Sequence, residues 1–86
     1  MNITKHAEAR AQQRGFTGEL IYLIRSFGTR TRRPGGAWEV MITRKIKRSL
    51  INKIHNKQLV QLLDKADGRA LLIGNDETVI TAYIKN

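Results

Sequence analysis

Residues 29–43 read TRTRRPGGAWEVMIT, and this stretch decides what kind of fold to expect. Thr29 to Arg33 and Ala37 to Thr43 flank Pro34-Gly35-Gly36, and β-branched residues alternate on the second side. That pattern predicts two antiparallel strands around a glycine-containing loop. Trp38, Val40 and Ile42 share one side of the period-two alternation and are expected to point inward. Arg32 and Arg33 abut glycines whose bare backbone would let a phosphate approach, although a plain turn accounts for the same glycines.

Upstream, the period lengthens to that of helices. Thr4 is placed to cap a helix running to Arg14, with Gly15 as its stop and Ala7 and Ala11 as its packing face. Thr17 is a second cap, with Phe16 and Ile21 at staple positions; Leu20, Leu23, Ile24 and Phe27 recur at helical spacing until Gly28. Downstream, Thr43 caps a third helical region whose buried face is Ile46, Leu50, Ile51 and Ile54. His55-Asn56-Lys57 marks a bend, after which Leu59, Val60, Leu62 and Leu63 resume helix. Arg69 to Ile73 and Thr78 to Ile84 form a last hairpin across Gly74-Asn75-Asp76-Glu77. In its second strand Ile80, Ala82 and Ile84 are expected to face the helices, leaving Val79, Thr81 and Tyr83 on the other side. The sum is an α+β domain over residues 1–86, in the order α-α-β-β-α-β-β. A small antiparallel sheet of about four strands would carry the helices.

Charge narrows the partners. Against 16 Lys and Arg stand 7 Asp and Glu, a net charge of +9, with a pI near 10.7. Such an excess attracts polyanions, nucleic acid first and an acidic protein next. It is concentrated mid-chain: Arg30, Arg32, Arg33, Arg44, Lys45, Lys47, Arg48, Lys53 and Lys57 face Glu39 alone between residues 30 and 57. Arg30, Arg32, Arg33, Arg44, Lys45, Lys47 and Arg48 are the candidate nucleic-acid contacts. There is no cysteine, and the two histidines lie far apart with few carboxylates nearby, so no metal site or cofactor is expected. No apolar run approaches the length of a membrane span. The polar stretch from Asn2 to Arg14 has no h-region of a secretory signal, so a cytoplasmic protein is expected.

The first helix carries the chemistry. His6, Arg10 and Arg14 recur every fourth residue, which lays an imidazole and two guanidiniums along one stripe. Like charges at that spacing cost a helix a few tenths of a kcal/mol, roughly, so the local structure gains nothing from them. A solvated basic face has the same spacing. A phosphodiester-cleaving site asks for the same residue types. Thr81 and Tyr83 add a hydroxyl and a phenol two residues apart in the last strand, where both types also simply favour β structure.

Three motifs in order, HAEARAQQRG (residues 6–15), RRPGGAWEVMIT (residues 32–43) and VITAY (residues 79–83), resemble a bacterial and phage family of short α+β proteins. That family is grouped with the barnase/colicin/RelE-like ribonuclease toxins. The resemblance implies a RelE/barnase-like domain and a toxin-like, metal-independent endoribonuclease, with an acidic antitoxin as protein partner. It maps the family's helical His-Arg-Arg pattern onto His6, Arg10 and Arg14, and its polar last-strand positions onto Thr81 and Tyr83. The stretch from His55 to Asp67 lies outside the pattern.

Such an enzyme would use the RNA 2′-hydroxyl as nucleophile. An imidazole can carry the proton near neutral pH, and guanidiniums neutralise charge developing on the phosphorane oxygens. A non-catalytic nucleic-acid-binding regulator, or a basic partner of an acidic antitoxin-like protein, would use the same positive surface without His6.

Overall fold

The computed structural model describes residues 2–85. Its elements are α1 (Lys5–Gln13), α2 (Gly18–Phe27), β1 (Thr29–Arg32), β2 (Trp38–Met41), α3 (Arg44–Lys53), α4 (Lys57–Ala66), β3 (Arg69–Ile73) and β4 (Val79–Ile84), with a 3-10 turn at Pro34–Gly36. The α+β class holds, and the order is α-α-β-β-α-α-β-β. The region expected as one bent helical segment is two helices. The break comes at His55-Asn56, where the Asn56 Oδ1 accepts from the backbone N–H of Gln58 (2.9 Å) and Leu59 (3.3 Å) and starts α4 afresh.

The other helix starts are capped as their sequences foretell. The Oγ1 of Thr4, Thr17 and Thr43 accepts from the backbone N–H of Ala7 (3.0 Å), Leu20 (3.1 Å) and Ile46 (3.3 Å) respectively. Gly15 follows α1 at φ +73°, where a side chain would be strained. Gly28 ends α2 for a different reason. Its φ is −69°, but a Cβ there would lie 2.4 Å from the Ile24 carbonyl oxygen and 2.5 Å from Val40 Cγ1. The chain needs glycine to pass from helix to sheet at this point.

The sheet has the order β1-β2-β3-β4, every neighbour antiparallel. Two rows of paired residues cross it on one face: Thr31-Glu39-Leu72-Thr81 and Thr29-Met41-Ala70-Tyr83. The opposite face carries Val40, Leu71, Ile73, Val79 and Ala82, which join Ala7, Ala11, Leu20, Ile24 and Leu63 of the helices in the buried core. The helices therefore cover one face of the sheet.

The last strand departs from strict alternation. The β3–β4 register shifts between Leu72 and Ile73, pairing Leu72 with Thr81 but Ile73 with Val79, so Ile80 is an extra residue. Val79 consequently turns into the core together with Ala82, while Ile80 and Ile84 stay 37% and 50% exposed. The expected assignment of Val79 to the outer side and of Ile80 to the helix side is thus corrected by one bulge, while Ile84 keeps the side of Ala82 and is exposed at the end of the strand. Thr81 and Tyr83 do share the helix-free face.

Candidate nucleic-acid interface

α1 lies along the outer edge of β4 and is fastened to it at both ends. The Thr4 backbone N–H donates to the Val79 carbonyl (3.0 Å), and its Oγ1 donates to the Ile80 carbonyl (3.0 Å). At the far end, Arg14 Nη1 donates to the Ala82 carbonyl (2.8 Å). That carbonyl belongs to the residue between Thr81 and Tyr83. The His6-Arg10-Arg14 stripe therefore runs beside the strand that bears both hydroxyls. Arg14 is committed there as a clamp, and among the described residues the Arg10 side chain donates only to the neighbouring Gln13 (3.4 Å). His6 is exposed, and among the described residues no side chain hydrogen-bonds its ring.

Tyr83 points elsewhere than the stripe. Its hydroxyl donates to Glu39 Oε2. Glu39 Oε1 accepts from Arg33 Nη2 (3.0 Å) and Lys85 Nζ (2.7 Å). This carboxylate, 6% exposed, is the one buried charged residue among those described. Burial pushes its pKa up, but the hydrogen bonds from Lys85, Tyr83 and Arg33 outweigh that and hold it at about 2. The same burial, with Glu39 as acceptor, pushes the Tyr83 phenol up to about 12. At neutral pH the cluster is therefore a carboxylate, two cations and a neutral phenol. Reading the sequence for helix stripes passed over Glu39 and Lys85. The available signal was Glu39 itself, the lone acid in a basic stretch, one residue out of step with the inward Trp38 and Val40.

The expected phosphate contacts fall into two groups. Arg30 forms a two-pronged ion pair with Glu77 (2.7 and 3.0 Å). Arg32 donates to Asn75 (3.2 Å) and lies over the Trp38 ring, 4.7 Å from its centroid. Arg33 serves Glu39, and Lys47 pairs with Asp64 at 2.7 Å. Arg44, Lys45 and Arg48 of α3 are exposed and, among the described residues, have no acidic partner within salt-bridge distance. With Lys47 and the apolar Ile42, Ile51 and Leu63, Arg44 and Arg48 line a cleft of about 330 Å³.

No three His, Cys, Asp or Glu side chains among the described residues gather where a metal ion would sit. Among the described residues no helix is long and apolar enough to cross a membrane. No family model, curated protein or solved structure matches the chain.

Proposed function

We propose that this protein binds RNA in the cytoplasm and cleaves it without a metal ion, as a toxin-like endoribonuclease. The observation that carries the reading is the 2.8 Å hydrogen bond from Arg14 to the Ala82 carbonyl, which brings the basic stripe of α1 against the strand bearing Thr81 and Tyr83. A phosphodiester lying along this junction meets Arg10 and Arg14 from the helix and the Thr81 hydroxyl from the sheet, since the Tyr83 hydroxyl is held by Glu39. His6 takes the 2′-hydroxyl proton as the 2′-oxygen bonds to phosphorus. The bond from phosphorus to the 5′-oxygen breaks, and the leaving oxygen takes a proton from solvent. Arg10 and the remaining N–H groups of Arg14 neutralise the phosphorane. Thr81 positions the phosphate, and Tyr83, expected beside it, is turned to Glu39 instead. The unpaired cations of α3 extend the contact to flanking nucleotides.

A second reading rests on His6: with no group among the described residues orienting its ring, the same surface suits a non-catalytic RNA-binding regulator or the basic partner of an acidic antitoxin-like protein. One experiment divides these readings. Purified protein is incubated with RNA in the presence of a chelator, and the ends of the products are analysed. The ribonuclease leaves 2′,3′-cyclic phosphate ends, and His6→Ala abolishes cutting while RNA binding persists. Binding without cutting, for RNA free or on ribosomes, overturns the catalytic reading in favour of the regulator. Stoichiometric capture by an acidic protein that blocks RNA binding adds the antitoxin role.

A further inference from the structure

Glu39 takes no part in the cleavage scheme, yet among the described residues it is the most heavily committed carboxylate. Its carboxylate collects Arg33, Lys85 and Tyr83 on the face of the sheet that no helix covers. As a device for stability alone this is poor, since a buried ion pair is often matched by well-packed apolar groups. What it achieves is placement. Two long, flexible cations are held at fixed points around one centre, with a net charge of one positive unit. Both remain accessible, with side chains 41% and 44% exposed for Arg33 and Lys85. A guanidinium has five N–H donors and an ammonium three, so each keeps donors to spare after serving Glu39.

Around this charged centre the face carries apolar side chains. Met41 and Leu72 are partly exposed and share the helix-free face with Tyr83, Thr29, Thr31 and Thr81. Fixed cations around a small apolar and aromatic floor suit a chain of alternating phosphates and unpaired bases. A duplex keeps its bases stacked inside and has nothing to lay on such a floor.

We propose that the open face of the sheet is a binding platform for single-stranded RNA. In it Arg33 and Lys85, positioned by Glu39, take backbone phosphates, and a base rests on Tyr83 and the Met41-Leu72 floor. The inference rests on the RNA-binding reading above and adds where the strand lies and which form of RNA is chosen. It does not depend on cleavage.

The test uses a short 2′-O-methyl oligoribonucleotide, which cannot be cut, offered single-stranded and as a hairpin duplex. Binding is followed by fluorescence anisotropy across a salt series. The single strand should bind more tightly than the duplex. Arg33→Ala with Lys85→Ala should weaken it about tenfold and lower the slope of log affinity against log salt by about 1.4, two single-strand phosphates at roughly 0.7 each. Tyr83→Leu should weaken it about fivefold or more with the slope unchanged. If the double variant does not fold, Lys85→Gln alone should still lower the slope by about 0.7. Unchanged affinity and slope in the Arg33/Lys85 variants, with binding lost on replacing Arg44, Lys45 and Arg48, overturns the platform and leaves RNA binding standing. Equal or tighter binding of the duplex also overturns it. A wild-type protein that binds neither probe overturns both.

Discussion

The backbone carbonyl of Arg14 accepts a hydrogen bond of 3.3 Å from the Arg69 side chain. Arg69 also donates to the Lys65 carbonyl and lies 5.4 Å from the centroid of the Phe16 ring. One guanidinium from the start of β3 thus satisfies carbonyls at the ends of α1 and α4, where helices leave such groups unpaired. Replacing Arg69 with Leu leaves both carbonyls without this donor. The variant should lose about 1–3 kcal/mol in a urea titration. Arg69→Lys should recover only part of that, because a single ammonium cannot match the fork.

Acid should act through Glu39. Its pKa is held at about 2 against an ordinary 4.5, so its contribution is complete above the ordinary value and disappears as the pH falls toward the depressed one. A shift of that size corresponds to about 3 kcal/mol for a nearly buried group. The wild-type melting temperature should therefore drop between about pH 5 and pH 2 more steeply than that of Glu39→Gln. At neutral pH the variant should already be the less stable of the two, since Arg33 and Lys85 lose their counter-charge.

Base should act through Tyr83, with the opposite sign. A phenol pushed up to about 12 stabilises the fold fully below its ordinary pKa of about 10 and loses that contribution as the pH rises through the raised value. Ultraviolet titration should show a late-ionising tyrosine that is absent from Tyr83→Phe.

Gly28→Ala is expected to be among the most damaging small substitutions. The added carbon would be within 2.4 Å of backbone oxygen, and neither the helix end nor β2 can give way cheaply. A loss of about 3 kcal/mol or more is expected from chemical denaturation, comparable with the worst overpacked sites.

Replacing Arg44, Lys45 and Arg48 together should lower the salt dependence of single-stranded RNA binding by about 2, from three lost phosphate contacts. Arg30→Ala should change it less, since that side chain is already neutralised by Glu77.

The sequence displayed the local decisions well. Threonine caps, apolar stripes and the glycine turn each depend on neighbours a few residues away, and these foretold where helices and strands lie. Two features escaped because they depend on partners far along the chain. The extra residue at Ile80 exists only relative to the register of β3, and it reassigned Val79 and Ile80. The cluster at Glu39 gathers residues more than forty positions apart, which no spacing rule reveals. For the candidate site, the stripe of α1 was legible as a stripe, but its attachment through Ala82 was not. The assignment of Arg30, Arg32, Arg33 and Lys47 to internal partners was equally hidden, for the same reason.

Fastening α1 to β4 has an effect on how copies of this chain meet. One rim of the sheet is occupied: residue 2 accepts from the Val79 N–H, Ile3 bridges to Val79, and Arg14 takes the Ala82 carbonyl. At the other rim, β1 is only four residues long and ends within two residues of Pro34. A foreign strand seeking to add itself finds the Val79 N–H and the Val79, Ile80 and Ala82 carbonyls already taken on one side and too short a template on the other. A small basic protein that leaves one sheet face bare is thereby protected from edge-to-edge polymerisation.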